Sequence, residues 1–292
     1  MKTQRVLAIC FLAAGTAFAQ QAGTQQAAPQ DAQPGAQPGG GRRGGGRGGA
    51  PRVIGPQPPV VDPGGPGKPP SDAIVLFNGR DASHWTILDD SPVPARPGSY
   101  KDEGKPVKCK VAGGAMTCKT GDGDIQTNEK FSDAQIHLEF MVPNEPNSKG
   151  YAKANGGVIL QGVYEIQLLD SYKNPVAPDS QCAALYRQSP PLVNACRPPE
   201  QWQSYDIFFH APKCGSDGTV QTPGSLTMLQ NGVLVLDHVT VRGRCIAEGP
   251  LVLQDHSRSI GRNIEIEEGP VNGPAPETDY KYRNIWMRKL SD

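Results

Sequence analysis

The stretch Gly156-Gly-Val-Ile-Leu-Gln-Gly-Val-Tyr-Glu-Ile-Gln-Leu-Leu-Asp170 decides the fold of this chain, because it has the pattern of two β-strands joined by a glycine bend. Its second half, Tyr164–Leu169, alternates Tyr, Ile and Leu with the polar residues Glu165 and Gln167. Side chains of a strand point to opposite faces in turn, so the apolar face is predicted to belong to a core. The other face carries a carboxylate and an amide, with Asp170 at the strand end, and such polar rows are typical of sheets that bind sugars.

Short alternating runs recur through the rest of the chain, bounded by Gly, Pro, Asn and Asp, whereas helical periodicity is scarce. The clearest runs are Gln135–Val142, Gln203–His210, Leu226–Gln230, Val233–His238, Gly249–His256 and Tyr282–Leu290. Asn231-Gly232 separates two of them and is the strongest short-range signal for a hairpin. Many antiparallel strands in one domain predict an all-β fold, a two-sheet sandwich or jelly roll.

The first nineteen residues have the features of a cleavable signal peptide. Lys2 and Arg5 precede the apolar run Val6–Ala14, and Ala17-Phe18-Ala19 is a small-x-small cleavage site. The run is too short to span a bilayer, and no later stretch is long and apolar enough to anchor the chain. We therefore predict export to a periplasm or to the outside, with no transmembrane anchor.

Residues 20–70 are dense in Gly, Pro, Gln and Ala and nearly free of large apolar side chains, which predicts a disordered linker before a domain at 71–292. Within the linker, Gly41–Arg47 has the composition of an RGG-type nucleic-acid segment. An exported protein meets little nucleic acid, so we interpret it as a solubilising linker and expect no nucleic-acid partner. The 29 basic and 29 acidic residues of the chain give no sign of a charged partner.

One disulfide follows from counting residues in a hairpin. Six of the seven cysteines remain after the signal peptide is removed, in a compartment where disulfides form. A two-residue Gly113-Gly114 turn would place Val111 opposite Met116 and then Cys109 opposite Cys118 at a non-hydrogen-bonded position, where Cα atoms approach most closely.

The remaining four cysteines leave more than one pairing open. If Cys182 and Cys196 close a loop insertion, Cys214 is left to pair with Cys245. A zinc site built on these thiols is not expected, because no C-x-x-C pair occurs in the sequence.

Several segments, in order along the chain, resemble the motifs of the 3-keto-disaccharide hydrolase domain family, a concanavalin A-like jelly roll. Leu76–Trp85 resembles the opening F-N-G-K-D-L-S-G-W, with His84 in place of the usual glycine, and Gly156–Asp170 resembles N-S-G-I-x-L-Q-G-x-Y-E-V-Q-I-L-D. The later matches are Gln201–Tyr205 to E-W-N-x-Y, Gly249–His256 to G-x-I-x-L-Q-D-H-G, with Ser257 for the last glycine, and Arg283–Arg288 to F-R-N-I-W-I-R.

The resemblance implies a hydrolase or lyase that cleaves a glycoside already oxidised to a ketone at C3. The ketone acidifies the C2 proton, so one base can remove that proton, the C1 substituent leaves by β-elimination, and water adds to the resulting enone. Such a site needs a base, an electrophile on the ketone oxygen (a divalent metal ion or a cation), and partners for the sugar hydroxyls.

Glu165 is the first candidate for the base or for a metal ligand, with Gln167 beside it, although a solvent-facing glutamate on an outer sheet face would show the same pattern. His137 and Glu139 share one face of a strand and are further candidates as metal ligands, with Glu139 also a catalytic candidate. His256 is the catalytic candidate among the histidines, and a buried histidine tied to a carboxylate is the alternative. The candidates for substrate contact are Gln161, Gln167, Asp170, Gln254 and Arg283.

Two other functions compete with an enzyme. A non-catalytic carbohydrate-binding module on the same fold would need exposed aromatic residues as sugar platforms, and Trp85, Trp202 and Trp286 fall where the family uses them for packing. An envelope scaffold would use the long connections for partner contacts, and the polar residues on alternating strand positions argue against it.

Overall fold

The computed structural model describes residues 55, 57–65, 68–89, 105–255 and 279–290, and its strands fall within the compact unit Pro58–Asp292. The predicted signal peptide, the predicted linker up to residue 54, and His256 lie outside these residues. The strands are β1 (Ile74–Phe77), β2 (Trp85–Asp89), β3 (Lys105–Pro106), β4 (Lys110–Ala112), β5 (Ala115–Lys119), β6 (Asp124–Phe131), β7 (Ala134–Met141), β8 (Gly156–Leu160), β9 (Tyr164–Leu168), β10 (Gln203–His210), β11 (Lys213–Cys214), β12 (Val220–Thr222), β13 (Gly224–Gln230), β14 (Val233–Val241), β15 (Gly249–Asp255) and β16 (Asp279–Lys289). None of the helical segments in the described ranges is long and apolar enough to cross a membrane.

Antiparallel pairing assembles these strands into two main sheets. The eight-stranded sheet has the order β14-β13-β10-β7-β16-β5-β4, with β1 also pairing with β16. The six-stranded sheet has the order β3-β2-β6-β15-β8-β9, and β11 and β12 form a small separate pair. The predicted all-β sandwich is therefore confirmed.

A single large core lies between the two main sheets. Ile136 and Leu138 of β7 and Ile166 and Leu168 of β9 are fully buried members of that core, and they alternate with polar residues along their strands. Burial of each such side chain contributes about 1.5–3 kcal/mol relative to exposure. Because the two sheets turn their apolar faces toward each other, the polar residues of β7 and of β9 point away from the core in opposite directions.

The hairpin that decides the fold forms as its sequence predicts. β8 and β9 pair with Ile159 opposite Glu165 and Gly157 opposite Gln167. The bend uses left-handed backbone at Gln161 and Gly162, with φ of 54° and 66°. This register places Glu165 on the outer face of the six-stranded sheet.

Two of the expected disulfides are present. Cys109 bonds Cys118 across the β4–β5 hairpin, where Val111 faces Met116 as predicted, and Cys214 bonds Cys245. These bonds indicate an extracellular or periplasmic protein.

The predicted bond between Cys182 and Cys196 is wrong, because both thiols are free. Each accepts a hydrogen bond from the amide of Gln230, at 3.5 Å and 3.4 Å, and Cys182 also contacts the hydroxyl of Tyr205 at 3.1 Å. These polar contacts inside the core satisfy the sulfur atoms without a covalent bond.

Candidate active site

Three neighbouring strands of the six-stranded sheet bring polar side chains together on its outer face. β9 carries Glu165, β8 carries Gly157, and β15 carries Gln254 directly opposite Gly157. A Cβ atom at residue 157 would lie 3.1 Å from Glu165 Oε1 and 3.1 Å from Gln254 Oε1. The missing side chain at Gly157 thus leaves the space into which both polar groups reach.

The sheet surface beside Glu165 and Gln254 is apolar. Leu88, Ile159 and Val252 form a buried cluster of their own, apart from the main core, and Ile159 is the direct cross-strand partner of Glu165. An apolar surface beside a carboxylate removes water from it and disfavours its charged form.

Burial accordingly raises the pKa of Glu165 to about 7. The carboxylate of Asp124 acts in the same direction, whereas the positive charge of Arg187 opposes the shift. A carboxylate whose pKa lies near neutrality is suited to take up and return a proton, and shifts of this kind are concentrated at active sites.

Three residues of this site were not among the sequence-based candidates: Asp124, Tyr186 and Arg187. Asp124 begins β6 after a glycine-rich turn, and its Oδ1 accepts the backbone N–H of Asp255 at 2.7 Å. Tyr186 donates its backbone N–H to the carbonyl of Glu165 at 2.9 Å. No local pattern marks these residues, because they come to Glu165 from distant segments of the chain.

Three of the residues predicted to contact substrate use their side chains for bonds within the protein. The Gln167 amide donates to Asn155 Oδ1 at 2.6 Å and to the Leu168 carbonyl at 3.0 Å. The Gln161 amide donates to the carbonyl of Phe131 at 2.9 Å, and Asp170 pairs with Lys153 at 2.9 Å. The side chains of Gln161, Gln167 and Asp170 are buried, so they shape the hairpin and its loop.

Like Gln161, whose Oε1 also has no donor among the described residues, Gln254 has an amide oxygen without a partner, and it lies beside Glu165 at Gly157. Its Oε1 is buried, and within the described part of the chain no donor reaches it. A buried amide oxygen without a partner costs about 1–3 kcal/mol, and a ligand hydroxyl would remove that cost. The position of His256, two residues further along, lies outside the described residues.

The candidates His137, Glu139 and Arg283 lie on the outer face of the other sheet. Glu139 accepts hydrogen bonds from Arg283 Nε at 2.6 Å and from Asn284 Nδ2 at 3.0 Å. His137 contacts Asp206 Oδ1 at 2.6 Å. Burial favours the neutral form of Glu139, but the bonds from Asn284 and Arg283 prevail and lower its pKa. Glu139 is thus a charged partner in an ion-pair network.

The three candidate metal ligands do not fit one ion. Glu165 is on the outer face of the six-stranded sheet, whereas His137 and Glu139 are on the outer face of the eight-stranded sheet, with the core between them. Among the described residues, no cluster of three or more His, Cys, Asp or Glu side chains has the arrangement of a metal site.

The three tryptophans are engaged in packing. Trp85 is buried in the main core and donates its indole N–H to the carbonyl of Leu76 at 2.8 Å. Trp286 stacks against His137 with ring centroids 5.3 Å apart, and Arg283 lies 4.0 Å above the ring of Trp202. These contacts occupy indole surface that a sugar platform would need.

One of three similar solved structures supports the fold. A candidate glycosyl hydrolase from Parabacteroides distasonis ATCC 8503 is 34% identical to this chain with a TM-score of 0.66, and the match covers 81% of this chain and 94% of that one. A second candidate glycosyl hydrolase from the same organism is 16% identical with a TM-score of 0.48, covering 75% and 94%. The alginate lyase Aly36B is 10% identical with a TM-score of 0.40, covering 75% and 97%. The last two scores are too low to carry a functional argument.

One family model matches most of the folded unit. A search of curated proteins found no significant match. The model of the 3-keto-α-glucoside-1,2-lyase-like domain matches residues 72–288, from just before β1 to the end of β16. The chain therefore belongs to the 3-keto-α-glucoside-1,2-lyase-like domain family and carries a carbohydrate-active, glycosyl-hydrolase-like domain.

Proposed function

We propose that this protein is an exported enzyme, periplasmic or secreted, that cleaves the glycosidic bond of 3-keto-glycosides by elimination between C1 and C2. The description of the family supports this substrate class. The observation that carries the proposal is the position of Glu165, which lies over Gly157 beside Gln254 and has a pKa of about 7.

The proposed reaction begins with removal of the proton on C2. Glu165 takes that proton, and the electron pair of the C2–H bond forms a C2=C3 bond while the ketone oxygen becomes an enolate. The enolate then collapses, the C3 carbonyl is restored, a C1=C2 bond forms, and the C1–O bond breaks with its electron pair on the departing oxygen. The departing oxygen takes its proton from water, because in an α-glucoside it lies on the face of the ring opposite the C2 hydrogen that Glu165 removes, and Glu165 then gives its proton to solvent.

Water can then add across the C1=C2 bond, with its hydroxyl on C1 and a proton on C2. Elimination alone makes the protein a lyase, and elimination followed by hydration gives the products of hydrolysis. A carboxyl with a pKa near neutrality suits both directions of proton transfer, because it is neither a very weak base nor a very weak acid at neutral pH. The free Oε1 of Gln254 would accept a sugar hydroxyl beside the reacting carbons.

Turnover of a 3-keto-α-glucoside with a chromogenic leaving group at C1 tests this proposal. Wild-type protein should release the leaving group, and Glu165→Gln should lower kcat by at least about a hundredfold, since general base catalysis is worth about 10²–10⁴. The substitution keeps the side-chain volume, so the melting temperature serves as the control for folding.

The same assay with a chelator tests whether an added divalent ion is required, because a metal ion on the ketone oxygen is one way to stabilise the enolate. Protein that binds the glycoside in calorimetry but releases no leaving group would instead be a carbohydrate-binding module. Full activity of Glu165→Gln would show that the base lies elsewhere.

A further inference from the structure

A segment of the long connection after β9 extends the six-stranded sheet beside Glu165. Ile166 and Leu185 form an antiparallel bridge, and both are buried in the main core. Gln167 donates its N–H to the carbonyl of Ala184 at 3.0 Å, and Tyr186 donates to the carbonyl of Glu165 at 2.9 Å. Residues opposite each other in an antiparallel pair point to the same face. The side chain of Tyr186 therefore lies next to Glu165 on the outer face.

Arg187 is held against the ring of Tyr186. Its guanidinium carbon lies 5.3 Å from the ring centroid, and its backbone N–H donates to the carbonyl of Asp179 at 2.8 Å. Arg187 has left-handed backbone, with φ of 54°, which takes the chain out of strand geometry directly after Tyr186. Left-handed conformation is uncommon for a residue other than glycine and is often found at functional sites.

The charges of Arg187 and Glu165 affect the pKa values of the neighbouring groups. Burial raises the pKa of Tyr186, while the charge of Arg187 and a hydrogen bond from it act in the opposite direction. The hydroxyl of Tyr186 therefore keeps its proton at neutral pH. Arg187 also acts on Glu165, since its positive charge opposes the rise in the pKa of that carboxyl. One hydroxyl donor and one exposed cation thus act on the base.

Removal of a proton next to a ketone needs such a pair, because the negative charge that forms on the ketone oxygen must be stabilised. We propose that Tyr186 and Arg187 form the oxyanion site of the elimination, with the Tyr186 hydroxyl donating a hydrogen bond to the C3 oxygen and Arg187 supplying positive charge. This inference rests on the proposed function. The electrons that leave the C2–H bond end on the C3 oxygen and return when the C1–O bond breaks, so no oxidant or reductant takes part.

The chain offers a matched control in the same connection. Lys173 lies 5.3 Å above the ring of Tyr172 and also has left-handed backbone, with φ of 54°. It is a second tyrosine–cation pair of consecutive residues, but the charges that set the pKa of Glu165 are those of Asp124 and Arg187. Tyr172→Phe and Lys173→Gln should therefore leave turnover unchanged.

The experiment measures two quantities for wild type and for Tyr186→Phe, Arg187→Lys and Arg187→Gln. The first is kcat on the chromogenic 3-keto-α-glucoside. The second is exchange of the C2 proton for deuterium in 3-keto-1,5-anhydroglucitol, followed by NMR, because this compound has no leaving group and reports enolate formation alone. Tyr186→Phe and Arg187→Gln should each lower both rates by about 10²–10³-fold, the usual loss when one oxyanion donor is removed.

The pH dependence of kcat/KM separates this role from a purely structural one, which would not shift the profile. Arg187→Gln removes the charge that lowers the pKa of Glu165, so the acidic limb of the variant's kcat/KM profile should move to higher pH. Arg187→Lys keeps a charge and should return the limb to its wild-type position. Full rates for Tyr186→Phe and Arg187→Gln, with Glu165→Gln inactive, would overturn the oxyanion assignment and leave the proposed function standing. Wild-type protein that neither turns over nor exchanges would overturn both.

Discussion

The carboxylate of Glu165 lies directly above Gly157: its Oε1 stands 3.1 Å, and its Cγ 3.2 Å, from the position that a Cβ at residue 157 would take. Real Cβ contacts are rarely so short, so a methyl group there must displace the carboxylate or the amide of Gln254. The absence of a side chain at Gly157 thus allows the carboxylate of Glu165 to take this position.

Gly157→Ala should reduce kcat/KM on a 3-keto-α-glucoside at least tenfold, because misplacing a catalytic group by a fraction of an ångström already costs rate. Gly156→Ala is the matched control: its Cβ would meet Tyr280 and the Gln254 carbonyl at ordinary contact distances of 3.4 Å, on the core side. Melting temperatures of both variants separate folding from activity. Equal activities of the two alanine variants would contradict the role given to Gly157.

The pH dependence of the reaction should follow Glu165. A general base acts when it is deprotonated, so kcat/KM should rise with pH and level off above about 7. Asp124 and Arg187 supply the charges that act on this carboxyl, and the uncharged Tyr186 and Gln254 also face it. Asp124→Asn keeps an acceptor for the Asp255 N–H but removes the charge, so the rise should move to lower pH. An unmoved profile would show that Asp124 does not act on the base.

Stability should depend on pH through the same carboxyl. Its pKa is about 7 in the folded protein, against the ordinary glutamate value of 4.5 in an unfolded chain, so the folded state binds the proton more tightly. The free energy of unfolding should therefore fall as pH rises from about 4.5 to 7, by roughly 3 kcal/mol from this group alone. Urea unfolding of wild type and Glu165→Gln at pH 5 and pH 8 measures this, and the variant should lose less stability between the two values. Parallel losses would mean that Glu165 titrates normally.

The ion-pair network on the eight-stranded sheet is expected to stabilise the protein without taking part in the reaction. Glu139→Gln weakens the bonds from Arg283 and Asn284 and should lower the free energy of unfolding by about 1.5–3 kcal/mol, the range for hydrogen bonds to a charged group. Denaturant unfolding and kcat, measured on the same preparation, decide this. A loss of kcat in a stably folded Glu139→Gln would restore Glu139 as a catalytic residue.

Thiol labelling should distinguish the bonded from the free cysteines. Among the six cysteines of the described residues, alkylation of denatured, non-reduced protein should modify Cys182 and Cys196, and peptide mapping should recover Cys109 with Cys118 and Cys214 with Cys245. Loss of the Cys214–Cys245 bond should destabilise more than loss of the hairpin bond, because it closes 31 residues rather than 9. Chain entropy makes that difference about 1 kcal/mol. Recovery of a peptide linking Cys182 to Cys196 would contradict the free thiols.

Much of the fold could be predicted because its signals are local. The period-two alternation of Gln135–Val142 and Gln203–His210 was enough to identify β7 and β10, and the glycine pair at 113–114 set the hairpin register that aligns Cys109 with Cys118. Turn geometry and side-chain alternation act over a few residues, so one sequence suffices to see them.

The pairing of strands that lie far apart in the sequence could not be predicted from such local signals. Alternation says that Glu139 and Glu165 each point away from an apolar face, but not that the two strands belong to different sheets. Only the sandwich shows that their outer faces are opposite, which separates the candidate ligands His137 and Glu139 from Glu165.

The sequence by itself determined the all-β class, the hairpin of Glu165 and the turn that aligns the first disulfide, since each is visible in patterns of residues close in the chain. The tertiary structure alone decided which polar groups surround Glu165. Asp124, Gln254 and Arg187 act on it from three separate segments, and Gly157 leaves room for the carboxylate only because β8 lies between β15 and β9. The pKa of a carboxyl depends on burial and on charges in space, and neither is encoded in its immediate neighbours.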